Sequence, residues 1–122
     1  MTTRKPIIAL LIAWISLVAL PGCYETENLP QMEVTVLDQD QAPLPDVLVA
    51  LFSSREDWQH LENPVQAWRQ TGPEGNVLFI DLKETTYWIY CRKGDRDNSF
   101  DEIMTDGDLK MNQKARILIH LR

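Results

Sequence analysis

The chain has 122 residues, with 12 Lys and Arg against 18 Asp and Glu, giving a formal net charge of −6 at pH 7. An acidic chain lacks the positive field that holds a phosphate backbone, which excludes nucleic acid as an expected partner. The length suits one domain, large enough to bury a core without disulfides.

Residues Met1 to Gly22 show the three parts of a secretory signal: basic Arg4 and Lys5, an apolar run from Ile7 to Leu20, and a small residue at the cut. The apolar run falls short of the roughly 20 residues that a spanning helix needs, so cleavage is expected rather than an uncleaved anchor. Leu20-Pro21-Gly22-Cys23 resembles the lipobox of bacterial lipoprotein precursors, with Pro21 at a position that more often holds Ala, Ser, Thr or Val. The resemblance implies that Cys23 is the first mature residue and carries the diacylglycerol and palmitate chains of a membrane anchor. Tyr24 stands where an Asp would retain such a lipoprotein at the inner membrane, which implies an outer-membrane address. Glu25 and Glu27 resemble the acidic tags of surface lipoproteins. Loss of Arg4 and Lys5 with the leader would bring the net charge to −8. With Cys23 lipidated, Cys91 reads as a small buried hydrophobe; a Cys23–Cys91 disulfide is the competing reading.

Residues 23–31 are polar, contain Pro30 and have no period, as expected of a tether, so the domain is assigned to 32–122. Met32 to Asp38 alternates apolar and polar residues, the pattern of a half-buried strand. Gln39 to Asp46 is a loop with two prolines that exclude helix, and Val47 to Phe52 is a second strand. Between Ser53 and Leu61 the period changes. A Ser N-cap followed by acidic residues predicts a short helical crossover, ended by Asn63-Pro64. A third strand over Val65 to Thr71 leads to the turn Gly72-Pro73-Glu74-Gly75. A fourth covers Asn76 to Leu82, with Val77 and Phe79 on one face. Thr85 to Cys91 has the strongest β propensity in the chain; alternation points Tyr87, Ile89 and Cys91 one way and Trp88 and Tyr90 the other. Lys93 to Asp108 reads as a long acidic loop containing a short strand around Phe100 to Met104. Ala115 to Leu121 closes the domain with Ile117, Ile119 and Leu121 inward. About six or seven short strands with one brief helix make an all-β sandwich.

Four stretches carry a more specific pattern: Val34-x-Val36-x-Asp38, Pro43-Leu44-x-x-Val47-x-Val49-x-Leu51, Thr71-x-x-x-Gly75-x-Val77-x-Phe79-x-x-Leu82 and Tyr87-x-Ile89. Together they resemble the carboxypeptidase regulatory-like domains, over Met32 to about Lys93. That resemblance implies a seven-stranded, transthyretin-like (Ig-like) β-sandwich and a non-catalytic role in stabilising, spacing or binding. The Ser54 to Leu61 insertion and the Lys93 to Asp108 loop depart from the simplest pattern, and loops of this kind are where function diverges.

Three sets of residues could carry chemistry. Asp95, Asp97 and Asp101 supply hard oxygens of the kind calcium prefers, yet an EF-hand loop beginning at Asp95 needs Gly where Phe100 stands and Glu where Asp106 stands. A solvated acidic loop is the favoured reading, with no metal and no cofactor expected. His60 and His120 lack metal-ligand spacing, and no Ser sits in a nucleophile-type context. Transthyretin-like hydrolases resemble a different pattern, ending in Tyr-Arg-Gly-Ser, whereas this chain ends Ile119-His120-Leu121-Arg122; an enzyme is not expected. Trp88 and Tyr90, with Trp58, form a candidate partner surface on the outer face of a sheet, suited to a protein or to sugar rings. The competing reading is that the helical insertion, with Trp58, or the tether folds over that face. The expected function is a membrane-anchored structural or accessory protein-binding module of the bacterial envelope, with a glycan-binding surface lipoprotein as the alternative.

Overall fold

Within β1 (Gln31–Leu37), Met32, Val34 and Val36 are buried while the residues between them are half-buried. A strand with this period must lay one face on another layer. A computed structural model describes residues 27–122 and shows that layer. The signal peptide expected over 1–22, the lipid site Cys23 and the residues through 26 lie outside the described residues.

Two sheets form the molecule. In the first, β1 lies between β4 (Asn76–Phe79), antiparallel to it, and β7 (Lys114–His120), parallel to it. The second has the order β3-β2-β5-β6, with every pairing antiparallel, and comprises β2 (Leu48–Phe52), β3 (Arg69–Gln70), β5 (Trp88–Lys93) and β6 (Arg96–Asp97). Between the sheets, Met32, Val34 and Val36 meet Val49, Leu51, Ile89 and Cys91, and Phe79, Ile119 and Leu121 complete the core. Each such aliphatic or aromatic side chain contributes roughly 1.5–3 kcal/mol by leaving water. The chain is therefore an all-β sandwich, as its alternation predicts.

Loops are tied to this core by single polar residues. Buried Thr71 donates its hydroxyl to Leu44 O at 2.7 Å and accepts from Val47 N at 3.0 Å, fixing the prolyl loop before β2. Gly75 has a φ of +77°, and a Cβ there would lie 2.8 Å from Val36 O, so the turn before β4 admits glycine alone without strain.

The short helix α1 (Arg55–His60) begins at Ser54, whose side chain accepts from Asp57 N at 3.1 Å, with Glu56 and Asp57 in the first turn. Its end differs from expectation: Leu61, in the left-handed region with a φ of 53°, closes the helix ahead of Asn63-Pro64. Among the described residues no helix is long and apolar enough to cross a membrane.

Other boundaries also move, each for a visible reason. The third strand shrinks from Val65–Thr71 to Arg69–Gln70, because Gln66 and Trp68 are committed elsewhere: Gln66 Nε2 donates to Ile80 O, and Trp68 packs edge-on against Phe52 and Tyr90. The fourth stops at Phe79, since Asp81 takes a φ of 57°. The expected strand near Phe100 to Met104 is a single bridge from Met104 to Trp88. The strand inside that loop is instead β6, folded back on β5 through Gly94 at a φ of 65°. Ahead of Met32, Pro30 O accepts from Leu82 N, and Asn28 N donates to Asn112 Oδ1 at 2.8 Å.

Candidate functional site

Alternation along β5 sends Ile89 and Cys91 into the main core and Trp88 and Tyr90 to the opposite face of the second sheet. The register opposes Ala50 to Tyr90 and Phe52 to Trp88, so that face is apolar and needs a cover. Helix α1 supplies it. Trp58 is 5 % exposed, packs with Ala50, Phe52 and Tyr90 as a second core, and donates its indole N–H to Ile89 O at 3.0 Å. Trp68 and Trp88 close the sides, half-buried.

This arrangement decides what the candidate aromatic residues can do. Tyr90 is 3 % exposed, so the flat ring faces of Trp58 and Tyr90 are not presented to solvent as an open sugar-stacking platform. The helical insertion folds over Tyr90 through Trp58. Trp88 keeps its edge at the surface and donates its indole N–H to Glu102 Oε2 at 2.8 Å.

A cleft of about 340 Å³ remains beside the covered face, between α1 and the loop after β6. Its lining includes Arg55, Trp58, Tyr90, Asp97, Phe100 and Glu102. Glu102 binds both walls together: its carboxylate accepts from Trp88 and from Arg55 Nε at 2.9 Å. These two donors hold its carboxyl below the ordinary glutamate value. Phe100, beside this clamp, is 99 % exposed.

Asp97, Asp95 and Asp101 do not converge. Among the described residues no three His, Cys, Asp or Glu side chains gather as a metal would require. Asp97 is instead used locally. Its Oδ1 accepts from the backbone N–H of Ser99 at 3.0 Å and from the Ser99 hydroxyl at 2.8 Å, and its Oδ2 accepts from the Tyr90 hydroxyl at 2.8 Å. The Ser99 backbone bond leads in lowering the Asp97 carboxyl. Burial, then the bond to Asp97, pushes the Tyr90 hydroxyl from 10.0 up to about 12. Asp97 ionised and Tyr90 protonated therefore make a fixed pair at neutral pH, not a proton relay. Cys91 is fully buried, and burial raises its thiol from 9.0 to about 12, the opposite of nucleophile activation.

One residue that sequence reading passed over organises the acidic loop. Asn98 is buried; its Oδ1 accepts from Cys91 N at 2.7 Å and its Nδ2 donates to Ile89 O at 2.9 Å. A side-chain amide thus extends the β5 ladder where β6 has ended. The only signal for it in the sequence is an Asn among carboxylates, which suits a loop equally well. His60 Nδ1 is hydrogen-bonded to Glu56 O and His120 Nε2 to Gln41 Oε1, on different elements, and they do not form a joint site.

No family model matches the chain, and no curated protein matches it in sequence. Solved structures do match it in shape. The chain is similar to the TIE protein of Bacillus anthracis, with a TM-score of 0.54, 14 % identity, and coverage of 76 % of this chain and 16 % of that one. It is similar to the backbone protein of pilus 2b from group B streptococcus, with a TM-score of 0.54, 16 % identity, and coverage of 75 % and 40 %. A third likeness is to the major pilin subunit of Bacillus cereus, with a TM-score of 0.51, 12 % identity, and coverage of 78 % and 30 %. The chain shares a β-sandwich fold with them. The chain spans less than half the length of each of these proteins.

Proposed function

We propose that the chain is a non-catalytic, lipid-anchored module of the bacterial envelope that serves a structural or accessory protein-binding role. The fold likeness to pilin backbone domains supports a structural role, and the Leu20 to Cys23 lipobox pattern supports anchoring at Cys23 in the outer membrane. On this reading the sandwich is of the transthyretin-like type carried by carboxypeptidase regulatory-like domains. The observation that carries the binding role is Phe100, a fully exposed aromatic ring in the lining of the cleft. A phenylalanine kept in water costs solvation energy that a partner surface would recover. Contact with a protein suits this geometry better than contact with a polysaccharide, since Trp58 and Tyr90 are covered.

Two experiments test the proposal separately. Alkyne-palmitate labelling in the native cell is expected to tag the wild-type chain and to lose the tag in Cys23→Ser; a tag that persists refutes the anchor. A photo-crosslinking residue at position 100 is expected to give one defined adduct in intact envelopes. The same residue at Glu74, on an exposed turn, serves as the control. Equal, diffuse crosslinking from both positions refutes the contact.

A further inference from the structure

Among the described residues, one long strand edge of the sandwich is open. In the parallel ladder between β1 and β7, Gln31 N donates to Gln113 O and Leu121 N donates to Leu37 O. Parallel pairing uses alternate residues, so Ala115, Ile117 and Ile119 direct their backbone groups at β1. The N–H and C=O groups of Lys114, Arg116, Leu118 and His120 face outward, and none of them has a hydrogen-bond partner among the described residues. The other edges are short or covered. β3 and β6 have two residues each, and the β4 edge is capped by Arg69 donating to Leu78 O and Gln66 donating to Ile80 O. An uncapped strand of seven residues is the feature that sheets ordinarily avoid, because it is a template for another strand.

Beside this edge runs a groove of about 370 Å³, between Lys114–Ile117 and the Thr105–Leu109 segment. Leu109, Ala115 and Ile117 give it an apolar side. The residues whose backbone groups are open, Lys114, Arg116, Leu118 and His120, stand their side chains on the exposed face of the sheet, followed beyond the strand by Arg122, so the face along this edge is basic on an acidic chain. Among the described residues β7 carries no acid and Asp106 is the one carboxylate lining the groove, Asp108 of the same segment being bonded to the Thr86 hydroxyl; Arg116 is engaged by an exposed 3.6 Å ion pair with Glu33.

We propose that the β7 edge binds an extended acidic strand of another protein, adding it as a fourth strand beside β7. The strand would carry carboxylates at alternate positions, facing Lys114 and Arg116, and small apolar residues between them, facing Ala115 and Ile117. Main-chain bonds to the four open residues would give affinity, and the alternate side chains would give selectivity. A second copy fits less well. Antiparallel pairing of two β7 edges over their full length would set Lys114 opposite His120 and Arg116 opposite Leu118, so neither copy would offer a carboxylate to the other's cations. This surface is separate from the Phe100 cleft and does not depend on lipid at Cys23.

The test uses the full chain in detergent with synthetic peptides of about ten residues, one alternating Glu and Val and one alternating Lys and Val. A third carries a central Pro in the acidic sequence, since Pro removes a ladder donor. The acidic peptide is expected to bind and to slow amide exchange at 116, 118 and 120 more than that at 115, 117 and 119. Lys114→Glu with Arg116→Glu is expected to weaken that binding about tenfold or more and to favour the basic peptide, a change of about 1.4 kcal/mol per tenfold. Leu118→Pro is a second variant, which deletes an outward donor that β1 does not use. No binding of the acidic peptide, equal binding of both charges, or equal affinity for the Pro-containing peptide overturns the proposal. So does a β7-dependent dimer that excludes the peptide.

Discussion

Trp58→Ala is the substitution on which the reading of the aromatic face depends. The side chain is 5 % exposed, fills the space over Ala50, Phe52 and Tyr90, and donates to Ile89 O. Truncating a buried Trp costs about 3–5 kcal/mol through lost transfer energy and the cavity left behind. Ile89 O keeps a second donor in Asn98 Nδ2, so the lost hydrogen bond leaves no bare carbonyl and stays near the usual ~1 kcal/mol. In a domain of about 100 residues, each kcal/mol lowers Tm by roughly 4–8 °C, so the expected fall is about 12–40 °C. Thermal unfolding followed by circular dichroism measures this directly. Trp58→Phe, which keeps most of the packing and removes the donor, is expected to cost about 1 kcal/mol. A fall of only a few degrees in Trp58→Ala would refute the reasoning: α1 would then be no necessary cover, and Tyr90 and Trp88 would be free to serve as a ligand platform.

Gly75→Ala is expected to cost about 1–3 kcal/mol, read as a lower denaturation midpoint, because the new Cβ meets Val36 O at a positive φ. Asn98→Ala leaves the buried Cys91 N–H without its acceptor and should cost about 1–3 kcal/mol in the same assay, with faster amide exchange at Cys91. Cys91 is expected to resist alkylation at pH 8 in the native state and to react only on unfolding; rapid native labelling would contradict its burial. The pH dependence has two limbs. Asp97 and Glu102 have lowered folded values, so their contribution is present above the ordinary carboxylate range and is lost as pH falls through the folded values. Tyr90 and Cys91 have raised folded values, so theirs is complete below about 9 and is lost as pH rises toward about 12. A stability profile flat from pH 8 to 12 would contradict the second limb.

The two surfaces differ in kind, and this has a consequence for engineering. The Phe100 cleft is built on side chains from a loop, clamped by Glu102 to Trp88 and Arg55. The β7 edge is built on backbone, and its outward groups are present whatever side chains stand there. Substituting Phe100 therefore removes its contact outright, whereas the β7 edge loses selectivity through Lys114 and Arg116 before it loses the ability to pair.

Much of the fold was legible because its signals are local. The alternation from Met32 to Val36 and from Tyr87 to Cys91 put the right residues inside, and Ser54 announced the helix as its N-cap. Strand ends were less legible, since they depend on distant partners. Trp68 leaves the third strand for the second core, and Leu82 N turns to Pro30 O. The role of Asn98 was hidden for the same reason: its two shorter side-chain hydrogen bonds go to backbone seven and nine residues away, which no local pattern records.

Which residues face which way was determined by the sequence alone, because a strand offers only two faces and period-two alternation chooses between them. Which faces are covered was decided by the tertiary structure. Alternation placed Trp88 and Tyr90 outward, but only the packing of Trp58 over Ala50 and Phe52 makes that outward face a second core. Likewise Ala115 to Leu121 read as a closing strand, while the exposure of β7 as an open edge follows from where β1 and β4 pair in space. Hydrogen-bonding groups on a strand are identical on both edges, so sequence cannot say which edge is left unpaired.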